Sequence, residues 1–165
     1  MHTFVTAAPG VLESPSQPIC LQHIKMFAGL EISQSPDFKK HLNKYDVIHL
    51  DMQWCMEPAG GADRVIAYIT EQTIVELRNY YPKEVPDMTR SLPDVLSRIS
   101  HSTGNKFIII IDEWDVLIRD EAANAEVQEE YIRFLRSLFK GTEPTKYIQL
   151  AYLSGIVPIK REKTP

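Results

Sequence analysis

Three carboxylates, Asp112, Glu113 and Asp115, follow directly on the apolar run Phe107-Ile108-Ile109-Ile110-Ile111. An aspartate and a glutamate side by side at the end of a buried segment suit metal-assisted attack of water on a phosphoryl group. Mg²⁺ is a hard cation that takes oxygen ligands and keeps several waters, so one carboxylate suffices on the protein side. Successive side chains leave a strand in opposite directions, which frees the second carboxylate to contact and activate a water. Asp112 is thereby the candidate Mg²⁺ ligand and Glu113 the candidate water-activating residue, in what is called a Walker B arrangement. A single aspartate after a strand is ordinarily a solvated strand end; the adjacent pair on a uniformly apolar run favours the chemical reading. The phosphate-binding companion of this arrangement is a Gly-Lys loop between a strand and a helix. No Gly-Lys pair occurs in the 165 residues. Ser102-Thr103-Gly104-Asn105-Lys106 has the composition of such a loop but precedes a strand instead of following one.

The strand that carries the carboxylates is the clearest element. Four of its five apolar residues are β-branched, and none alternates with a polar residue. That pattern predicts a strand covered on both faces, as in the middle of a parallel sheet. Ligands of such sheets bind beyond the carboxyl ends of the strands, where Asp112 and Glu113 fall. Tyr45 to Met52 predicts another strand, with Val47, Ile48 and Leu50 buried, and Tyr147 to Leu153 a third, running into Ser154-Gly155. Ser154 reads either as a turn residue or as a polar group at the same end of the sheet as Asp112. Helices are predicted from Ser35 as N-cap and Pro36 to about Lys44, and from Asp63 to Tyr80. A third opens at Ser91, with Asp94 completing a capping box, and closes at Gly104; a fourth covers Ala122 to Lys140. Residues 1–20, with Pro9, Gly10, Pro15 and Pro18, predict a poorly ordered lead-in to one domain over residues 21–165. Helical crossovers between successive strands imply an α/β fold with a parallel sheet of about three strands and right-handed connections.

A net charge of −4 gives no global basic footprint for nucleic acid, and Lys160-Arg161-Glu162-Lys163 reads as a solvated tail. No apolar run approaches the ~20 residues that span a bilayer, which argues against a membrane protein. Cys20 and Cys55 are isolated, without metal-ligand or redox spacing, and read as reduced thiols of a cytoplasmic chain. The five histidines likewise show no ligand spacing, and Trp114 reads as packing or an aromatic cover.

Four segments together resemble the AAA-ATPase-like family: Phe27-Ala28-Gly29-Leu30-Glu31-Ile32, Tyr45-Asp46-Val47-Ile48-His49-Leu50-Asp51, Ile109-Ile110-Ile111-Asp112-Glu113-Trp114-Asp115, and Tyr152-Leu153-Ser154-Gly155-Ile156-Val157-Pro158-Ile159-Lys160. The resemblance covers roughly residues 24–162. Members are P-loop proteins often joined to a restriction-endonuclease-like nuclease domain. The resemblance implies a partial P-loop NTPase-type sheet flanked by helices. It also implies Asp112 as the Mg²⁺-associated residue, Glu113 as the catalytic carboxylate and Ser154 as the polar sensor of the following strand. ATP and Mg²⁺ are the ligands it implies for the parent protein. Family members usually begin with a phosphate-loop unit, to which no segment of this sequence corresponds. Since the strand of that unit sits beside the sensor strand in the family, Ile148–Leu153 is expected as an uncovered apolar edge, open to self-association.

Three functions follow as expectations. The first is a portion of an ATP-hydrolysing protein that binds ATP weakly or not at all by itself. The second is a non-catalytic interaction module descended from such an ATPase. The third is a Mg²⁺-dependent nuclease using Asp112 and Glu113, which is disfavoured because no lysine alternates with an acid after Asp112 on that strand. Nucleic acid would otherwise enter only through a nuclease domain outside these residues.

Overall fold

Three β-prone stretches rich in apolar residues supply the strands that carry the site: Asp46–Asp51 (β2), Phe107–Asp112 (β3) and Ile148–Leu153 (β4). A further strand, His2–Val5 (β1), lies beside β2, so the sheet runs β1-β2-β3-β4 with every pair parallel. The computed structural model describes residues 2–5, 27–42, 44–120 and 123–156. The expected α/β fold with its helix-flanked parallel sheet is present, and β1 is an addition within the segment read as a lead-in. Residues 6–20 of that segment, Cys20 and the basic tail lie outside the described residues.

Register places Asp46 opposite Phe107 and Asp51 opposite Asp112. Between β3 and β4 it slips once: Phe107 faces Ile148 while Ile108 faces Leu150, so Gln149 drops out of the ladder as a bulge. The crossovers are helical. Met52–Ala59 (α2) and Val65–Tyr80 (α3) follow β2, and Leu92–Thr103 (α4) precedes β3. Val116–Arg119 (α5), Ala125–Phe139 (α6) and Pro144–Tyr147 (α7) link β3 to β4. Ahead of β2 stand a 3₁₀ turn, Glu31–Gln34, and the single turn Phe38–His41 (α1).

Capping chemistry explains several boundaries. The Ser91 hydroxyl accepts the Asp94 N–H, and Gly104 ends α4 at φ +75°, as its sequence predicts. Helix α2 has no counterpart among the expected elements: Asp51 caps it by accepting the Trp54 N–H at 2.9 Å, and Pro58 is tolerated in its last turn. The helix expected from Pro36 is shorter, because the Ser35 hydroxyl accepts the Asp37 N–H in a local turn and helical geometry begins only at Phe38. Helix α6 begins at Ala125, where the Asn124 side chain accepts the Val127 N–H; Ala122, the expected start, lies outside the described residues.

Burial corrects one expectation. Phe107, Ile109 and Ile111 of β3 are fully buried with Ile48 and Leu50 of β2, and the long helices α3, α4 and α6 cover them through Ile69, Leu77, Leu96, Ile99, Tyr131 and Leu138. Each such side chain contributes about 1.5–3 kcal/mol on burial. Ile108 and Ile110, on the opposite face, are only half-buried. An uninterrupted apolar run predicts two covered faces. Here the second face is buried at Val47, where Ile32, Phe38, Leu42, Val47 and Ile108 line an apolar pocket. Toward β4 it opens, with Leu150 and Tyr152 more than half exposed.

At the amino end of the sheet a buried network holds the foot of β2. Asp46, 2% exposed, accepts a 2.6 Å hydrogen bond from the Tyr81 hydroxyl, to which Asn105 Nδ2 donates at 3.1 Å. Burial, and then Asp46, push the Tyr81 phenol well above the ordinary tyrosine range. A folded value above the unfolded one near ~10 means that the contribution is intact below that pH and is lost as pH rises above it. Tyr81→Phe is therefore expected to cost about 1–3 kcal/mol in urea unfolding at neutral pH. It should also flatten the loss of stability above about pH 10, measured against the parent chain.

Candidate functional site

The carboxyl ends of β3 and β4 are tied to each other by backbone and side chain alike. The Ser154 N–H donates to the Ile111 carbonyl and the Trp114 N–H donates to the Ser154 carbonyl, both at 2.9 Å. The Ser154 hydroxyl donates to Asp112 Oδ1. Asp112 and Ser154 thus form one polar tip on the open face of the sheet, next to Asp51 in register. Asp51 is engaged in capping α2.

Glu113 leaves the strand in the left-handed region, at φ +51°. A non-glycine residue there costs about 1–2 kcal/mol. The turn is closed by the Val116 N–H donating to the Glu113 carbonyl at 3.0 Å. Arg119, on α5, then spans two acids: its Nη2 donates to Glu113 Oε2 at 2.9 Å and its Nε to Asp115 Oδ2 at 2.6 Å. Asp115 has no exposed surface. Its other oxygen accepts the Ile156 N–H at 3.3 Å. Gly155 sits so close to Asp115 Oδ1 and the Trp114 ring that a Cβ has no room. Beneath them the Tyr131 hydroxyl donates to the Trp114 carbonyl at 2.5 Å. Burial, and then the charge of Asp115, raise the Tyr131 phenol, so it stays a donor at neutral pH.

The donor set at the tip is a carboxylate and a hydroxyl, both oxygen, which fits a hard divalent cation. Among the described residues no three His, Cys, Asp or Glu side chains converge as a metal site. A cation here would take its remaining ligands from water and phosphate. Cys55 plays no part: it is buried in α2, and burial and Asp51 push its thiol up to about 11.

Of the three candidate residues of the sequence, Asp112 and Ser154 are joined at this tip, Glu113 stands in the following turn with its carboxylate on Arg119, and Trp114 packs against the core. Sequence reasoning missed Arg119. The readable signal was its spacing from Asp115, four residues on along a helical turn, which puts opposite charges on one face.

A family model described as "Predicted AAA-ATPase" matches residues 20–164. Neither a curated protein nor a solved structure gives a significant match. No helix among the described residues is long and apolar enough to cross a membrane.

Removing Arg119 leaves the buried Asp115 carboxylate short of its charged donor. Arg119→Ala is expected to lower stability by about 1–3 kcal/mol, with Arg119→Lys recovering part of it. Gly155→Ala should displace Trp114 from its packed position. In a Trp54→Phe background, where Trp114 is the remaining indole, the emission maximum should move to the red; unchanged emission would contradict the tight fit.

Proposed function

The chain belongs to the AAA-ATPase-like family that its residues 20–164 match, and on that premise we propose that it is the Walker B and sensor portion of an ATP-hydrolysing domain. The observation that carries this reading is the joining of Asp112 to Ser154 at the carboxyl end of a parallel sheet, where such folds bind their ligands. In this reading Asp112 holds Mg²⁺ and Ser154 orients the Asp112 carboxylate while sensing the terminal phosphate. When bound, Mg²⁺ supplies charge neutralisation to the phosphate oxygens. Glu113 acts on the attacking water, and Arg119 keeps its carboxylate at a defined place beside the tip. The loop amides and lysine that grip phosphate in these folds have no counterpart in the sequence, so nucleotide recognition depends on a phosphate-loop unit outside these residues.

One observation favours a second reading, a non-catalytic interaction module: β4 is the last strand of the sheet among the described residues, with exposed apolar side chains. Calorimetry distinguishes the two only in combination with reconstitution. Titrated with Mg²⁺ and ATP, this chain should show no micromolar affinity. Joined to a strand–phosphate loop–helix unit it should hydrolyse ATP, and Glu113→Gln should then lower turnover by at least about 10²-fold while leaving ATP binding in place. A joined protein that binds ATP, and whose Glu113→Gln variant turns it over equally fast, removes Glu113 from the reaction. One that binds no ATP at all supports the interaction module.

A further inference from the structure

Arg119 holds its two acids unequally. Its Nε donates to Asp115 Oδ2 at 2.6 Å, and Asp115 has no exposed surface. Its Nη2 donates to Glu113 Oε2 at 2.9 Å, where the glutamate side chain is 42% exposed. Breaking a bond to a buried carboxylate leaves an uncompensated charge inside and is strongly destabilising. An ion pair at an exposed carboxylate contributes little, because water screens it and competes for both partners. The Asp115 arm is therefore a fixed anchor and the Glu113 arm an exchangeable one. A guanidinium carries more N–H donors than these two bonds use. Nη1 makes no hydrogen bond within the described residues, and the Arg119 side chain is 35% exposed. An anchored guanidinium with an accessible edge matches the paired oxygens of a phosphate.

We propose that Arg119 is the residue of this chain that contacts the transferred phosphate, and that the phosphate displaces Glu113 from its Nη2. The inference deepens the ATPase reading and rests on it for the identity of the anion. Glu113 adjoins Asp112 in the chain, so the guanidinium that holds its carboxylate stands beside the tip where Asp112 meets Ser154. Asp115 keeps the arginine there, since its other oxygen accepts the Ile156 N–H. While Glu113 Oε2 accepts from Nη2, that oxygen is turned to the arginine and not to a water at the tip. A phosphate group carries more charge and more acceptor oxygens than a carboxylate, and so outcompetes a screened one for the guanidinium. Its arrival releases Glu113 to the attacking water only when the substrate is in place. Arg119 then donates to the phosphate oxygens whose charge the transition state must hold. The exchange moves hydrogen bonds alone, and the guanidinium stays protonated throughout.

The test uses the full chain with inorganic phosphate as the probe. Mg²⁺ is supplied to offset the charge of Asp112, and ionic strength is held constant so that general screening does not change. The Val116 amide, which donates to the Glu113 carbonyl, is followed by NMR because every variant retains it. The parent chain should bind phosphate with millimolar affinity, and the Glu113 carboxyl carbon should shift at saturation as it leaves the guanidinium. An unmoved carbon resonance overturns the exchange, and this measurement needs no variant to fold. Arg119→Lys keeps a charge at Asp115 but has no second edge to offer, and should weaken phosphate at least about tenfold. Glu113→Gln removes the competitor and should tighten phosphate by about two- to fivefold, with no gain in the Arg119→Lys background. A gain that persists there is a general charge effect and overturns the exchange. Equal affinity in the parent and Arg119→Lys chains, or no phosphate binding at all, overturns the proposal. Failure of the ATPase reading looks different: a joined protein that binds no ATP, beside a chain whose phosphate binding still depends on Arg119, removes that reading and leaves the contact standing. A joined protein whose turnover depends on Glu113, built on a chain whose phosphate binding ignores Arg119, removes this inference alone.

Discussion

The geometry of the tip depends on one buried charge. Asp115 lies wholly inside, and its two oxygens reach in different directions: one to the Arg119 guanidinium, the other to the Ile156 N–H. The first bond fixes α5 and, through the same arginine, the Glu113 carboxylate. The second fixes the chain just after β4. A buried ion pair contributes little net stability compared with an apolar replacement, because desolvation offsets its attraction. What it contributes here is position: two loops from different strands are held to a common carboxylate, and Asp112 and Ser154 are brought within hydrogen-bonding reach as a result.

The same constraint accounts for the residues around it. Gly155 has no side chain because Asp115 and Trp114 occupy the space where a Cβ would stand. Tyr131 supports the Trp114 carbonyl from α6, so the longest segment between β3 and β4 is anchored at the tip as well as in the core. Glu113 accepts a left-handed backbone at the point where the strand turns into α5. Strain of this kind persists only where surroundings over-determine it, and here a turn hydrogen bond and an ion pair both do so.

The sheet is unequal on its two faces and its two edges. Its helices gather on the face of Ile48, Leu50, Phe107, Ile109 and Ile111, which is where most of the apolar burial lies. The opposite face is closed over Val47 and opens toward β4. An apolar side chain on that open face is worth about 25 cal/mol for each Å² it could still bury.

Periodicity and composition by themselves determined the strands at 46–51, 107–112 and 148–153, the cap at Ser91, the long helices, and the carboxylate pair at the end of a buried strand. These are local properties, written in β-branched runs, capping residues and three-four spacing, and neighbours in sequence suffice to specify them. Asp112, Glu113 and Ser154 were legible as candidates for the same reason: each lies at or just beyond the end of a strand. Only the tertiary structure decided that Arg119 and Asp115 organise them, that Asp51 is spent as a helix cap, and that one face of β3 is left half-covered. An apolar run records that a strand can be buried, not how many layers are present to bury it. The pairing of the Asp112 and Ser154 side chains spans more than forty residues of chain, and no local pattern encodes a contact that depends on where two crossovers return to the sheet.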